Sequence, residues 1–254
     1  MIYHPLETID LGVKCEFQGV REMASPNTHA LSFRMISAPK DAHVLDMPCG
    51  AGAMTTRLMN EGFSNVTSAD INAEAVTAPA ARFVRADLRE ATPFENDSFD
   101  SILCIECIEH LENPFHLVRE LTRILSPGGE VILTTPNVLS TNARSKFFTT
   151  GYLPHFDDLA CRWQRQLELG FQAHIMPIPF HWLMYMAFLN DLELVELGAN
   201  RYARRPKLKD HLVSAIVRTA SRRFFPPQLY DLLTHDILLY GDILVARFTK
   251  KRKG

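Results

Sequence analysis

Two glutamates and a histidine occur close together in the sequence Glu106-Cys107-Ile108-Glu109-His110. If a helix runs through this stretch, spacings of three and four residues place Glu106, Glu109 and His110 on one helix face. Carboxylates and an imidazole that converge in this way can bind a divalent cation, and either group can act as a general base. We therefore predict a catalytic centre at these three residues.

A second set of candidate residues follows the strand that we predict at His43–Asp46. From Asp46 the chain passes into a turn that contains Gly50 and Gly52. Glycine is needed where a ligand approaches the backbone so closely that a Cβ atom would collide with it. The next strand ends in Asp70, 20 residues after Gly50, and an acid there can bind both hydroxyls of a ribose. With Asp87 at the end of a third strand, the series predicts a nucleotide-type cofactor site.

Short apolar runs alternate with segments of helical periodicity between residues 40 and 136, which predicts a parallel sheet with helices on both faces. Such sheets bind ligands at the carboxyl ends of their strands, where both candidate sets fall. The predicted strands are 43–46, 66–70, 82–87, 99–105 and 130–135, and the predicted helices are 54–60, 73–80 and 114–125.

Beyond residue 136 the pattern changes to a segment rich in aromatic residues and histidine, 137–180, which we predict to be a substrate cap. A helix at 180–190 and strands at 192–197 and 242–248 follow, and a basic amphipathic helix is predicted at 209–225. We therefore predict one domain over residues 1–254 with a doubly wound, mostly parallel, seven-stranded α/β sheet. Its parts are a cofactor-binding core at 40–136, the cap at 137–180 and a basic helical insertion at 200–241 before the last strand.

The core resembles the class I S-adenosylmethionine-dependent methyltransferases. Further family landmarks are Pro93-Phe94 and Ser98-Phe99-Asp100 before the fourth strand, and the run from Leu125 to Gly129 before the fifth. The resemblance implies a Rossmann-like methyltransferase fold with S-adenosylmethionine as cofactor. In that family the glycines would pass close to the methionine part, Asp70 would bind the ribose, and Asp87 and Leu88 would frame the adenine. The implied cofactor-binding residues are Asp46, Cys49, Gly50, Gly52, Asp70, Ile71, Asp87 and Leu88.

One position departs from the family pattern. Pro48 stands where the family usually has glycine, and because proline fixes φ and lacks an amide proton, Gly50 and Gly52 must make the turn. A dinucleotide-dependent dehydrogenase is disfavoured, because Thr55 occupies the position of the third glycine in a Gly-x-Gly-x-x-Gly motif.

The complete Glu-x-x-Glu-His pattern is similar to that of two metal-assisted groups, the O-methyltransferases of ubiquinone synthesis and the 2′-O-methyltransferases of small-RNA 3′ ends. Both groups use a later histidine, which implies His174 as a fourth ligand, with His155 and His181 as alternatives. Such a donor set favours Mn²⁺, or Mg²⁺ with waters, and the ion would orient a substrate oxygen and lower its pKa. A Glu-His-Leu sequence also occurs at this place in metal-free class I methyltransferases. The predicted ligands are Glu106, Glu109, His110 and His174.

An ion that binds two adjacent oxygens suits an acceptor with neighbouring hydroxyls. We therefore predict metal-assisted O-methylation of a diol-bearing sugar, glycan or other small molecule. Residues 137–179 also resemble methyltransferases of bacterial surface-polysaccharide and sugar biosynthesis. One alternative acceptor is a membrane-borne quinone precursor, and another is an RNA 2′-OH, although nucleic acid is the less favoured partner. A non-catalytic cofactor-binding partner protein is the alternative of another class.

Charge is distributed unevenly along the chain. Residues 200–254 contain 13 Lys and Arg against 4 Asp, whereas the rest contains 14 against 25 acidic residues. This basic part predicts peripheral contact with a membrane or another anionic surface, with Arg218, Arg222 and Arg223 contributing, and a solvated surface is the alternative. Five cysteines without a disulfide framework, and no apolar segment of membrane-spanning length, predict a cytoplasmic protein. The oligomeric state stays open.

Overall fold

The structure, a computed structural model, describes residues 1–3, 16–77, 82–156, 173–202 and 207–252. The strands are β1 (Ile2–Tyr3), β2 (Glu16–Phe17), β3 (Val20–Arg21), β4 (His43–Asp46), β5 (Asn65–Asp70), β6 (Phe83–Arg85), β7 (Phe99–Cys104), β8 (Leu125–Pro136), β9 (Leu192–Ala199) and β10 (Ile243–Lys250). The α-helices are α1 (Thr28–Arg34), α2 (Ala53–Asn60), α3 (Pro114–Ile124), α4 (Thr141–Thr150), α5 (Phe180–Leu189), α6 (Leu208–Phe224), α7 (Pro227–Leu233) and α8 (Asp236–Tyr240).

Eight of these strands form one sheet in the order β1-β9-β10-β8-β7-β4-β5-β6. The neighbours from β8 to β6 are parallel, whereas β10 runs antiparallel to both β8 and β9. The predicted mostly parallel, doubly wound fold is therefore confirmed. The sheet has one strand more than the predicted seven, because Ile2–Tyr3 pairs in parallel with β9. A strand of two residues is too short to produce a periodic signal.

The central strands are buried along nearly their whole length because both faces of the sheet are covered. Successive residues of β4 show this arrangement: Leu45 belongs to one buried apolar layer and Val44 to the other. On β7, Ile102 and Leu103 divide between the two layers in the same way. Helices cover both apolar layers. The ends of the strands are therefore left uncovered at the edges of the sheet.

Local signals set most element boundaries. Asn113 caps α3 by accepting a hydrogen bond from the backbone N–H of His116, and Pro114 occupies the first turn, where its missing amide proton costs nothing.

The predicted helix at 73–80 is represented by one 3-10 turn at Ala73–Ala75, and residues 78–80 lie outside the described part of the chain. The fifth core strand begins at Leu125, five residues earlier than predicted, because the backbone is already extended where we expected only a helix stop.

The helical insertion before the last strand contains α6, α7 and α8. Among the described residues, no helix combines the length and the apolar character that crossing a membrane requires. Cys49, Cys104 and Cys107 are free thiols, and Cys15 and Cys161 lie outside the described residues.

A buried ionic network joins α1 to the middle of the sheet. The Glu130 carboxylate accepts hydrogen bonds from the backbone N–H groups of Ser37 and Ala38 at 2.9 and 3.1 Å, and from the Arg247 guanidinium at 3.2 Å. Arg247 Nε also donates to Glu196 at 2.7 Å. One cation on β10 is thus shared by two buried carboxylates on the two strands that flank it, which favours this order of β8, β10 and β9.

We expect Glu130→Ala to lower the free energy of unfolding by about 3–5 kcal/mol, because it removes one partner of a buried, hydrogen-bonded ion pair. Chemical denaturation measures the change. Glu193→Ala, on an exposed position of β9, is the matched control and should change stability by less than about 0.5 kcal/mol. Equal effects of the two substitutions would mean that the network does not stabilise the fold.

Candidate active site

The turn after β4 is held against the end of β5 by Asp70. The Asp70 carboxylate accepts hydrogen bonds from the backbone N–H groups of Gly50 and Asn72, both at 2.9 Å. A carboxylate has about four lone-pair positions, so two stay available for hydroxyl donors such as those of a ribose. Gly50 and Gly52 have φ angles of 51° and 91°, which favour glycine. The predicted turn thus depends on these two glycines.

Asp46 lies beneath this turn and is only 1% exposed. Its carboxylate accepts a hydrogen bond from the Thr55 hydroxyl at 2.6 Å, and Thr55 stands in the first turns of α2. Burial raises the pKa of Asp46 to about 7, although the bond from Thr55 opposes the shift. Cys49 is also buried, and its backbone N–H donates to the Ala69 carbonyl, which fastens the turn to β5.

Asp87 follows β6 at the same edge and has a partner that the sequence did not reveal. Arg89 donates to both of its carboxylate oxygens, with its Nε 2.9 Å from Oδ1 and a terminal nitrogen 2.6 Å from Oδ2. These bonds lower the pKa of Asp87. Leu88 is buried, whereas Ile71 is half-buried and its carbonyl accepts a hydrogen bond from Arg85. To bind an adenine amino group, Asp87 has to share its oxygens with Arg89.

Glu109, His110 and His174 come together beyond the end of β7. One ligand atom from each lies within 4.8 Å of the other two. The chain here forms a single 3-10 turn at Ile108–His110 instead of the predicted α-helix, and Glu106 has a left-handed φ of 43°. The prediction that Glu106, Glu109 and His110 share one face of an α-helix is therefore wrong, and the grouping of Glu109 with His110 has another cause.

Backbone hydrogen bonds bring His174 into this cluster. The Glu109 carbonyl accepts from the backbone N–H groups of both Ile175 and Met176 at 2.9 Å. The Ala173 carbonyl lies 2.9 Å from His110 Nδ1. Because a carbonyl can only accept, His110 Nδ1 carries a proton, and the lone pair of Nε2 is left to bind an electrophile. The rings of His110 and His174 have their centroids 4.6 Å apart.

The electrostatics of the cluster suit a cation. Glu109 is fully buried, and its carboxylate oxygens, like His174 Nδ1, have no hydrogen-bond partner within the described part of the chain. Burial raises the pKa of Glu109, and nearby Glu106 raises it further. Burial also lowers the pKa of His174 to about 4, so the ring is neutral at pH 7. One carboxylate and two neutral imidazoles fit a divalent ion such as Mn²⁺, and metal binding by these residues stays a prediction.

Glu106 does not join this group. Its Oε1 accepts hydrogen bonds from the Ser25 backbone N–H at 2.7 Å and the Thr28 hydroxyl at 3.1 Å, and Oε2 accepts from the Ser25 hydroxyl at 3.2 Å. Glu106 therefore fastens the start of α1 to the end of β7. Ser25 and Thr28 were not predicted as partners, since in the sequence they signal only the start of a helix.

His155 and His181, the alternatives to His174 as a metal ligand, lie in different surroundings. His155 Nε2 is 2.9 Å from Asp242 Oδ1, and Asp242 also pairs with Arg201 at 3.0 Å. That bond raises the pKa of His155. The His155 ring lies 6.4 Å from the His174 ring, centroid to centroid, at the margin of the cluster. His181 is exposed on α5.

Residues 45–133 match the family model described as "Methyltransferase domain". This region includes the glycine turn, Asp70, Asp87 and the pair Glu109-His110. This part of the chain is therefore similar to a methyltransferase domain.

Similar proteins extend this finding. A "Ubiquinone biosynthesis O-methyltransferase" of Rickettsia conorii is 35% identical over 131 residues, which are 46% of this chain and 45% of that relative. The protein of the same name from Dechloromonas aromatica is 26% identical over 193 residues, 69% of this chain and 77% of that one. The match thus spans less than half the length of the Rickettsia relative.

A solved methyltransferase structure has a similar fold. The structure of an S-adenosylmethionine-dependent methyltransferase from Archaeoglobus fulgidus superposes with a TM-score of 0.57 at 16% identity, covering 87% of this chain and 92% of that one. The resemblance to class I S-adenosylmethionine-dependent methyltransferases is therefore confirmed. The relatives described above carry names of quinone biosynthesis, and none of them supports the predicted sugar or glycan acceptor.

The raised pKa of Asp46 predicts a pH-dependent stability. The folded state binds the Asp46 proton more tightly than the unfolded state, so this contribution is fully present below about pH 4 and is lost as pH rises to about 7. Asp46→Asn cannot ionise. We expect the variant to match the wild type at pH 4 and to exceed it at pH 8 by about 4 kcal/mol. Denaturant titrations of both proteins across this range measure the difference, and parallel pH profiles would contradict the shift.

Proposed function

We propose that this protein is an S-adenosylmethionine-dependent O-methyltransferase that methylates a phenolic hydroxyl of a quinone precursor. The observation that carries the proposal is the placement of two unlike sites at one edge of the sheet. The glycine turn follows β4 and the Glu109-His110-His174 cluster follows β7, and these strands are direct neighbours. The relatives named for ubiquinone biosynthesis support the class of acceptor.

Methyl transfer of this kind is an in-line displacement. The acceptor oxygen attacks the methyl carbon of the sulfonium, the carbon–sulfur bond breaks with its electrons going to sulfur, and the hydroxyl proton passes to a base. Alignment of oxygen, methyl and sulfur is the main requirement. The turn at Gly50, fastened to Asp70, would hold the donor, while Glu109, His110 and His174 would orient the hydroxyl and accept its proton.

A divalent ion bound by Glu109, His110 and His174 would lower the pKa of the acceptor hydroxyl. The orphaned Glu109 carboxylate and the free Nε2 lone pair of His110 support this assignment. Glu106 contributes by holding α1 in place rather than as a ligand. The same chemistry would serve adjacent hydroxyls of a sugar, but the relatives favour the quinone precursor.

The cluster also argues against a non-catalytic partner protein. Burying a carboxylate without a hydrogen bond costs free energy. In the described structure the nearby Thr135 hydroxyl opposes the rise in the Glu109 pKa only in part, so a scaffold would gain stability by replacing Glu109. An enzyme would keep it for the reaction.

The acceptor is tested with purified protein, S-adenosylmethionine and two probes, an ortho-diphenol with a hydrocarbon chain and a sugar with adjacent hydroxyls. We expect methylation of the diphenol, detected by mass spectrometry. Glu109→Gln should lower turnover by about 100-fold or more, because it removes the charge that orients or activates the hydroxyl. The matched control Glu112→Gln, at an exposed neighbouring position, should retain activity.

Chelation should inhibit the wild type reversibly, with Mn²⁺ or Mg²⁺ restoring turnover. Full turnover in excess chelator would remove the ion and leave Glu109, His110 and His174 as acid–base groups. Methylation of the sugar alone would overturn the proposed acceptor.

Cofactor binding gives a separate test. We expect Asp70→Ala to weaken both S-adenosylmethionine and its demethylated product by roughly 2–3 kcal/mol, because a charged acceptor of hydrogen bonds is lost. Calorimetry measures both affinities, and Glu74→Ala, an exposed acid just after β5, is the control. Tight binding of NAD in place of these ligands would refute the assignment.

A further inference from the structure

Helix α6 is inverted relative to an ordinary surface helix. Leu208, Leu212 and Ile216 are 87%, 63% and 59% exposed, and their spacing of four residues aligns them along one side of the helix. The residues that α6 buries are small or polar, namely Asp210, Ser214 and Ser221. At about 3.6 residues per turn these three fall on the opposite side of the helix. A surface helix normally turns its apolar side to the core, so this exposed stripe calls for an occupant.

Helix α4 adds to this surface. It packs against α6, and its Phe148 is 91% exposed. Single exposed apolar residues are ordinary, but a group of large ones on two packed helices indicates a binding surface. We call these residues the α4–α6 surface: Phe147, Phe148, Tyr152, Leu208, Leu212, Ile216, Phe224 and Phe225, all exposed.

Basic side chains flank the apolar stripe. Lys209 and Arg223 lie on the same side of α6 as Leu212 and Ile216 by helical geometry, and both are exposed. The acidic residue of α6, Asp210, is buried and accepts a hydrogen bond from the Lys207 backbone N–H at 2.7 Å. The solvent-facing side of the helix is therefore apolar and positive. That combination matches the interface of an anionic bilayer, where apolar side chains enter the acyl boundary and cations meet the headgroups.

A second copy of the chain fits this surface less well. A two-fold dimer brings the same patch of each subunit together. Lys209 and Arg223 would then face their own copies across an apolar contact, with no acid on this side of α6 to neutralise them. Charge thus favours an anionic partner.

Helix α4 is connected to the candidate active site along the chain. Helix α4 begins at Thr141, shortly after β8 ends at Pro136, at the edge where the site lies. The chain then returns to the site, where the Phe156 ring contacts the His174 ring with centroids 5.5 Å apart.

We propose that the α4–α6 surface docks the protein on an anionic lipid bilayer. The docking does not depend on the proposed reaction, because the surface contains none of the residues assigned to cofactor, metal or acceptor. An acceptor with a hydrocarbon chain, dissolved in that bilayer, would be held close to the protein.

The test is co-sedimentation of the full chain, without cofactor or acceptor, with vesicles of phosphatidylcholine alone or mixed with phosphatidylglycerol. We expect binding to the mixed vesicles that falls steeply with salt, and little binding to phosphatidylcholine alone. Because no reaction is measured, failure of docking and failure of methyl transfer are distinguishable.

Two double variants separate the contribution of apolar side chains to vesicle binding from the contribution of charged side chains. Leu212→Ser with Ile216→Ser, and Lys209→Glu with Arg223→Glu, should each lower vesicle affinity by about tenfold or more. The matched controls lie on other helices and just after the last strand: Phe188→Ser for exposed apolar area, and Arg119→Glu with Lys251→Glu for charge. Both controls should bind like the wild type. Thermal unfolding establishes that all four proteins are folded.

Three results would overturn the proposal. The first is equal binding to neutral and mixed vesicles, and the second is loss of binding in the controls to the same degree as in the α6 variants. The third is absence of vesicle binding together with a wild-type dimer, seen by light scattering, that Leu212→Ser with Ile216→Ser dissociates. That last result would assign the surface to a second copy of the chain.

Discussion

The backbone carbonyl of Glu109 is the point on which the candidate site depends. It accepts hydrogen bonds from two successive amides, those of Ile175 and Met176, and so fixes a distant segment against the end of β7. His174 reaches His110 only because of this attachment, and the Ala173 carbonyl then sets the proton on His110 Nδ1. A main-chain contact of this kind is insensitive to side-chain identity. The attachment therefore places no constraint on which side chains the site contains, and Glu109 can be buried without a structural partner.

Much of the fold followed from patterns of a few residues each. Parallel strands place their carboxyl ends at one edge, so acids at 46, 70 and 87 could be expected there before any contact was known. Contacts between residues far apart in the chain gave no such signal. The bonds from Ser25 and Thr28 to Glu106 join residues 81 and 78 positions apart, and nothing in a helix-start sequence specifies that partner. The hydrogen bonds between Arg89 and Asp87 were not predicted for a different reason. An arginine close to an acid in the sequence usually extends into solvent.

The orientation of α6 is a further case in which pattern and packing differ. Its sequence predicted an amphipathic helix, and periodicity identifies two sides without saying which of them faces the protein. Packing decides in favour of the small side chains Ser214 and Ser221, which allow a close approach to the neighbouring helices, while the larger apolar residues point outwards. A rule that buries the apolar side would have rotated the helix by half a turn. Such exceptions are expected where a surface serves binding rather than stability.

The position of β10 affects how the protein can be made. This strand is the last of the described strands in the sequence, yet it lies inside the sheet, between β8 and β9. While a ribosome is still synthesising residues 243–250, β9 has no neighbour on that side and the apolar layers next to it are open to water. Asp242, which pairs with His155 and Arg201, arrives at the same late moment. The nascent chain therefore carries exposed strand edges until nearly all of residues 1–250 have emerged, and a chaperone that shields such edges would be expected to raise the yield of folded protein.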